Sequence, residues 1–67
     1  MTILPGRPAP LGATLDADGV NFSVYARHAR SLELLLFDAP DAPTPARTVV
    51  LDPTRNRTAD YWHVLVP

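Results

Sequence analysis

The residues able to do chemistry are few and scattered. Asp16 and Asp18 are the only closely spaced carboxylates early in the chain, and such a pair could serve glycoside hydrolysis or hold a hard cation. The same Asp-x-Asp-Gly pattern describes a tight turn, with Asp side chains bonded to nearby backbone and Gly supplying positive φ. The further oxygen ligands of a calcium loop are missing, so the turn is the better reading. His28 and His63 lie far apart, and no His-x-His or His-Glu-x-x-His spacing supports a metal site. Neither Ser23 nor Ser31 sits in a Gly-x-Ser-x-Gly elbow. Glycine occurs only at positions 6, 12 and 19, which build no phosphate-cradling loop. No catalytic residue, metal ligand or cofactor is therefore expected. Asn21-Phe22-Ser23 and Asn56-Arg57-Thr58 match the glycosylation acceptor pattern; without a secretion signal, Asn21 reads as a strand residue and Asn56 as a turn residue.

Tyr25, Tyr61 and Trp62 remain as candidate substrate-binding residues. Aromatic rings exposed on a sheet can stack on the apolar C–H faces of sugars while polar neighbours read the hydroxyls. Trp62 shares a strand face with Val64 and Val66, which favours a place in the core. Tyr25 and Tyr61 fall on the more polar faces of their strands and are better placed for a ligand or another domain.

The elements that must position these side chains are short strands cut apart by proline and glycine. Pro5-Gly6-Arg7-Pro8-Ala9-Pro10 reads as an extended lead-in, because Pro lacks the N–H donor and fixes φ. Residues 11–15 are a short strand, ended by the turn Asp16-Ala17-Asp18-Gly19, a hairpin signal. Residues 20–27 alternate: Val20, Phe22, Val24 and Ala26 share one face, Asn21, Ser23, Tyr25 and Arg27 the other. Leu32-Glu33-Leu34-Leu35-Leu36-Phe37 is apolar on nearly both faces, as a strand covered from two sides would be. Residues 38–46, with Pro40, Pro43 and Pro45, predict a stiff, extended, exposed loop. Thr48-Val49-Val50-Leu51 and Tyr61-Trp62-His63-Val64-Leu65-Val66 are the remaining strands, with a polar loop between them. No segment offers an amphipathic helix.

Length and composition bound what this can be. A chain of 67 residues holds one small domain, and about 60 residues bury only roughly 60% of the surface exposed on unfolding. With no Cys there are neither disulfides nor thiolate ligands to help. The 6 basic residues are all Arg and are scattered among 7 acids, so no basic stripe marks a nucleic-acid partner. No apolar stretch is long enough for a membrane span or signal peptide, and a cytoplasmic location is expected. The hydrophobic fraction of 46% suits a folded domain. Short strands at this spacing predict an all-β sandwich of immunoglobulin type, yet such a sandwich uses about seven strands in roughly 100 residues. Residues 1–67 are thus expected to be a single domain lacking its last strands.

Four pieces in series resemble one family. Pro10-Leu11-Gly12-Ala13-Thr14, Gly19-Val20-Asn21-Phe22-Ser23-Val24-Tyr25-Ala26, Glu33-Leu34-Leu35-Leu36-Phe37-Asp38, and Asp52-Pro53 followed by Asn56-Arg57-Thr58-Ala59-Asp60-Tyr61-Trp62-His63-Val64 are similar to the N-terminal domain of isoamylase-type glycogen debranching enzymes. The resemblance implies an immunoglobulin-like domain of the starch-binding type, placed ahead of a (β/α)₈ barrel that hydrolyses α-1,6 branch points. The catalytic carboxylates of that chemistry lie in the barrel, and none maps onto this sequence. Implied partners are an α-glucan and the C-terminal barrel of the same polypeptide. A stand-alone α-glucan-binding module, or the same domain from a branching or trehalose-releasing enzyme, is the alternative. Two departures stand out: Ala59 occupies a position where the family usually has Gly, and family members continue past the equivalent of Pro67 into a further strand. An open strand edge left that way predicts a homodimer completed across the last strand.

Overall fold

A computed structural model describes residues 3–67. Six strands follow in chain order: β1 (Gly12–Asp16), β2 (Gly19–Tyr25), β3 (Glu33–Leu36), β4 (Arg47–Val50), β5 (Arg57–Thr58) and β6 (Tyr61–Val66). No helix occurs among the described residues. One sheet has the order β1-β2-β6-β5 and the other is the pair β3-β4, with every neighbouring pair antiparallel. The chain is all-β, an immunoglobulin-like sandwich of two facing sheets, as its alternating patterns imply.

The hairpin between β1 and β2 closes with Asp16 opposite Gly19. Asp16 Oδ1 accepts the Ala17 N–H at 2.6 Å, and its carboxylate pairs with the Arg7 guanidinium. Those two interactions, the Arg7 bond first, hold the Asp16 carboxyl below its ordinary value. The turn reading of Asp16 and Asp18 fits this geometry. Gly19, at φ +146°, lies against the backbone of Val66 and Pro67, where any Cβ would collide.

The core forms where β6 meets the second sheet. Trp62, Val64 and Val66 alternate inward from β6 and meet Val49 and Leu51, with Phe22, Leu34 and Leu36 packed alongside. This is the face that Val64 and Val66 assign to Trp62 in the sequence.

The opposite face of the larger sheet departs from expectation. In place of a solvated polar surface, Asn21 and Ser23 are buried while Val24 is half exposed. The cause is the lead-in, which acts as a strap. Leu4 exchanges two backbone hydrogen bonds with Leu65, at 3.0 and 2.9 Å. The Pro5 carbonyl lies 2.7 Å from His63 Nδ1. Next, Gly6 crosses over the Val64–Leu65 peptide at φ +72°, where a Cβ would lie 2.8 Å from the Val64 carbonyl carbon. Asn21 then matches the Arg7 backbone with both halves of its amide: the Arg7 N–H donates to Oδ1 at 2.9 Å and Nδ2 donates to the Arg7 carbonyl at 3.0 Å. The Ser23 hydroxyl donates to the Pro8 carbonyl at 2.7 Å. A buried amide is stable only when so satisfied.

Three further expectations are corrected. Leu35, Phe37 and Val50 stand on an exposed outer face of β3–β4, so within the described residues β3 is covered on one side, not two. Residues 38–46 fold through a turn in which the Ala42 N–H donates to the Ala39 carbonyl at 3.1 Å; they are not a stiff extended rod. Lastly, β6 is no edge strand. It pairs with β2 on one side, and on the other with β5, the Asn56 carbonyl and Leu4. A homodimer completed across the last strand therefore has no edge to use there.

Candidate functional site

The stretch from Asn56 to His63 is a hairpin in which Asn56, Arg57, Thr58 and His63 all have side-chain hydrogen-bond partners. Asn56 Oδ1 accepts the Asp52 N–H at 2.8 Å, and its own N–H donates to the Asp52 carbonyl at 2.7 Å, closing the turn at Asp52-Pro53. Asp52 in turn accepts the Thr54 N–H and hydroxyl, which hold its carboxyl below the ordinary value. Buried in this way, Asn56 is a structural residue of the turn. The Arg57 guanidinium lies 5.2 Å from the Trp62 ring centroid, an attractive cation–π placement. Its Nε donates to the Ala59 carbonyl at 2.7 Å, and it lies 3.6 Å from Asp60. The Pro5 carbonyl is an acceptor only, so His63 Nδ1 carries a proton; in the neutral ring Nε2, 2.8 Å from Thr58 Oγ1, accepts that hydroxyl. Ala59 takes φ +53°. Positive φ at the first of two central residues is the pattern of a type II′ hairpin, whose favoured residue there is Gly. The substitution of Ala for Gly leaves positive φ in place.

Trp62 is 0% exposed. Its ring is sealed between Arg57 and the core and offers no face to a sugar, so the structure withdraws it from surface contact. Tyr25 and Tyr61 are brought together. They are register partners across β2 and β6, with ring centroids 5.3 Å apart in an edge-to-face arrangement at 65°. Tyr25 is 51% exposed and Tyr61 37%. Tyr61 also lines a groove of about 460 Å³ together with Pro8, Ala9 and Leu11 from the lead-in and Thr58 and Ala59 of the β5–β6 hairpin. Nothing in the local pattern of residues 8–11 signals this groove, since it exists only because the strap returns beside the hairpin.

The arrangement suits contact, not bond cleavage. Tyr rings and aliphatic flanks present C–H and π surface, and phenolic hydroxyls donate and accept hydrogen bonds. Ser23 and His63 spend their polar atoms on Pro8, Pro5 and Thr58, so they form no nucleophile–base pair. Among the described residues no three His, Asp or Glu side chains converge, and no helix is long and apolar enough to cross a membrane.

Comparison with known proteins places these features in a family. Residues 10–67 match the family described as Carbohydrate-binding module 48 (Isoamylase N-terminal domain). Isoamylase SU1, chloroplastic, of Zea mays is 47% identical over 66 residues, covering 96% of this chain and 8% of the relative. The Glycogen debranching enzyme of Serratia proteamaculans is 45% identical over 65 residues, covering 97% of this chain and 9% of the relative. That of Yersinia enterocolitica is 36% identical over 70 residues, covering 98% and 9%. The chain thus spans less than a tenth of these relatives' length, and it aligns with them through the strap, both hairpins and the core strand β6. The chain belongs to the carbohydrate-binding module 48 family, the isoamylase N-terminal domain.

Proposed function

We propose that the chain is the non-catalytic N-terminal module of a glycogen-debranching α-1,6-glucosidase and that it contacts α-glucan through Tyr25 and Tyr61. The observation that carries the contact is the pair itself: two exposed tyrosines packed edge to face beside a groove lined by Pro8, Leu11 and Thr58. A glucosyl ring laid on Tyr61 would place its C–H face on the phenol and its rim hydroxyls within reach of Thr58 and the phenolic oxygens. Isoamylases and glycogen debranching enzymes as relatives support the parent activity. In that parent the hydrolytic carboxylates belong to a C-terminal barrel, and the present residues supply surface and support. A cytoplasmic location goes with the bacterial form of the enzyme; relatives from plants carry chloroplastic names.

Two readouts on one sample test this. The chain alone should release no reducing ends from glycogen. Titration with a branched maltooligosaccharide should shift the ring resonances of Tyr25 and Tyr61 and leave those of Phe37, across the molecule, in place. Turnover by the chain, or ring shifts elsewhere with none at the tyrosines, would overturn the proposal.

A further inference from the structure

The sheet face that carries Tyr25 and Tyr61 continues under the strap with Ser23 and His63. These two are register partners across β2 and β6, the next pair along on that face. Both are buried, and between them they hold two carbonyls of the strap. The Ser23 hydroxyl donates to that of Pro8, and His63 Nδ1 to that of Pro5, each at 2.7 Å. The other ring nitrogen of His63 reaches Thr58, which lines the groove beside Tyr61 together with Pro8. One imidazole therefore ties the strap to a residue of the groove.

The direction of that second contact is fixed. The Pro5 carbonyl has no proton to give, so Nδ1 holds one; the neutral ring keeps a lone pair at Nε2, and the Thr58 hydroxyl donates to it across 2.8 Å. A hydroxyl has one proton and two lone pairs. With its proton spent on Nε2, Thr58 Oγ1 can only accept from a group that enters the groove. The phenols of Tyr25 and Tyr61 can turn to donate or accept, so Thr58 is the contact with a set polarity.

We propose that His63 is a positioning residue for the glucan contact, one that makes Thr58 Oγ1 an acceptor and so selects ligands presenting a donor hydroxyl beside the tyrosine rings. The proposal rests on the tyrosine reading and deepens it. A sugar hydroxyl meets the requirement, whereas an ether or carbonyl oxygen set against Oγ1 leaves two acceptors facing each other without a proton. His63 lies beneath the strap and acts through Thr58.

Two measurements test this. In the free chain, long-range nitrogen–proton spectra of the ring at mildly alkaline pH should show a proton on Nδ1 and none on Nε2. A proton on Nε2 overturns the assignment, whatever the chain does with sugar. In the second, a branched maltooligosaccharide is titrated into the chain and its variants, with the Tyr25 and Tyr61 ring resonances as the readout. Thr58→Val keeps the shape and drops the oxygen, and should weaken binding about three- to tenfold, the worth of one hydrogen bond; Thr58→Ser should recover most of that loss. His63→Asn keeps a donor near the Pro5 carbonyl but has nothing at the Nε2 position. It should weaken binding while the Leu65 amide, which donates to Leu4 of the strap, exchanges as before, and in that background Thr58→Val should cost less than it does in the parent. Additive losses, full affinity in Thr58→Val, or a faster Leu65 amide in His63→Asn would overturn the positioning role and leave the tyrosine contact standing. Tyrosine rings that do not shift in the parent would overturn the contact itself, and this role with it.

Discussion

Ala59 shows how a single departure from a family pattern carries a stability cost. The β5–β6 hairpin holds it at φ +53°, a region that costs an L-residue with a Cβ about 1–2 kcal/mol. Ala59→Gly removes that cost and adds back some unfolded-state entropy. The net expectation is a gain of about 0.5–1 kcal/mol, read as a higher urea midpoint at unchanged m-value. A lower midpoint would mean that the Ala methyl makes contacts worth more than the backbone penalty. Asn56, Arg57, Thr58 and His63 are likewise legible as a motif in the sequence but not as a mechanism, because their partners are Asp52, Trp62 and the Pro5 carbonyl. Residue types alone do not disclose partners brought in from the other end of the chain.

The lead-in is the element least visible in the sequence. Its prolines exclude helix and central strand, which is as far as local reasoning reaches; its role as a strap depends on Asn21 and Ser23, more than a dozen positions away. Alternation in β2 correctly sorts its residues into two faces. It misjudges which face is dry, since hydropathy has no means of registering a covering segment bound through main-chain hydrogen bonds. Asn21→Ala tests the strap directly. It leaves the Arg7 N–H and carbonyl unpaired in a partly buried site and should cost about 1–3 kcal/mol. The Leu65 amide should exchange faster in the variant, because it donates to the Leu4 carbonyl of the strap. Unchanged stability would show that Leu4 and Pro5 hold the strap without Asn21. The hairpin of β1 and β2, by contrast, is legible because its turn residues and register partners lie close in sequence, whereas β5 is missed, its two residues being read as part of a polar loop and pairing only with β6.

On the scale of the whole molecule, an all-β sandwich follows from strand patterns at turn-limited spacing, and its two-sheet pairing follows from which apolar rows can meet. The topology does not follow so readily. A last strand in sequence is easily taken for a last strand in space, yet β6 lies centrally between β2 and β5. Among the described residues the open edges lie at β1 and β5 of the larger sheet and along both strands of the β3-β4 pair. The surface divides accordingly: a strapped face with Tyr25 and Tyr61 at its margin, and an opposite, more apolar side formed by Leu15, Leu35, Phe37 and Val50. Sugar contact suits the first, protein contact the second. The central claim is that the tyrosine margin holds α-glucan, and affinity electrophoresis in gels with and without glycogen tests it most directly. The chain should be retarded by glycogen, and the Tyr25→Ala, Tyr61→Ala double variant, still folded by its exchange-protected β6 amides, should migrate as in the plain gel. Equal retardation of the double variant, or none of the parent chain, would contradict it.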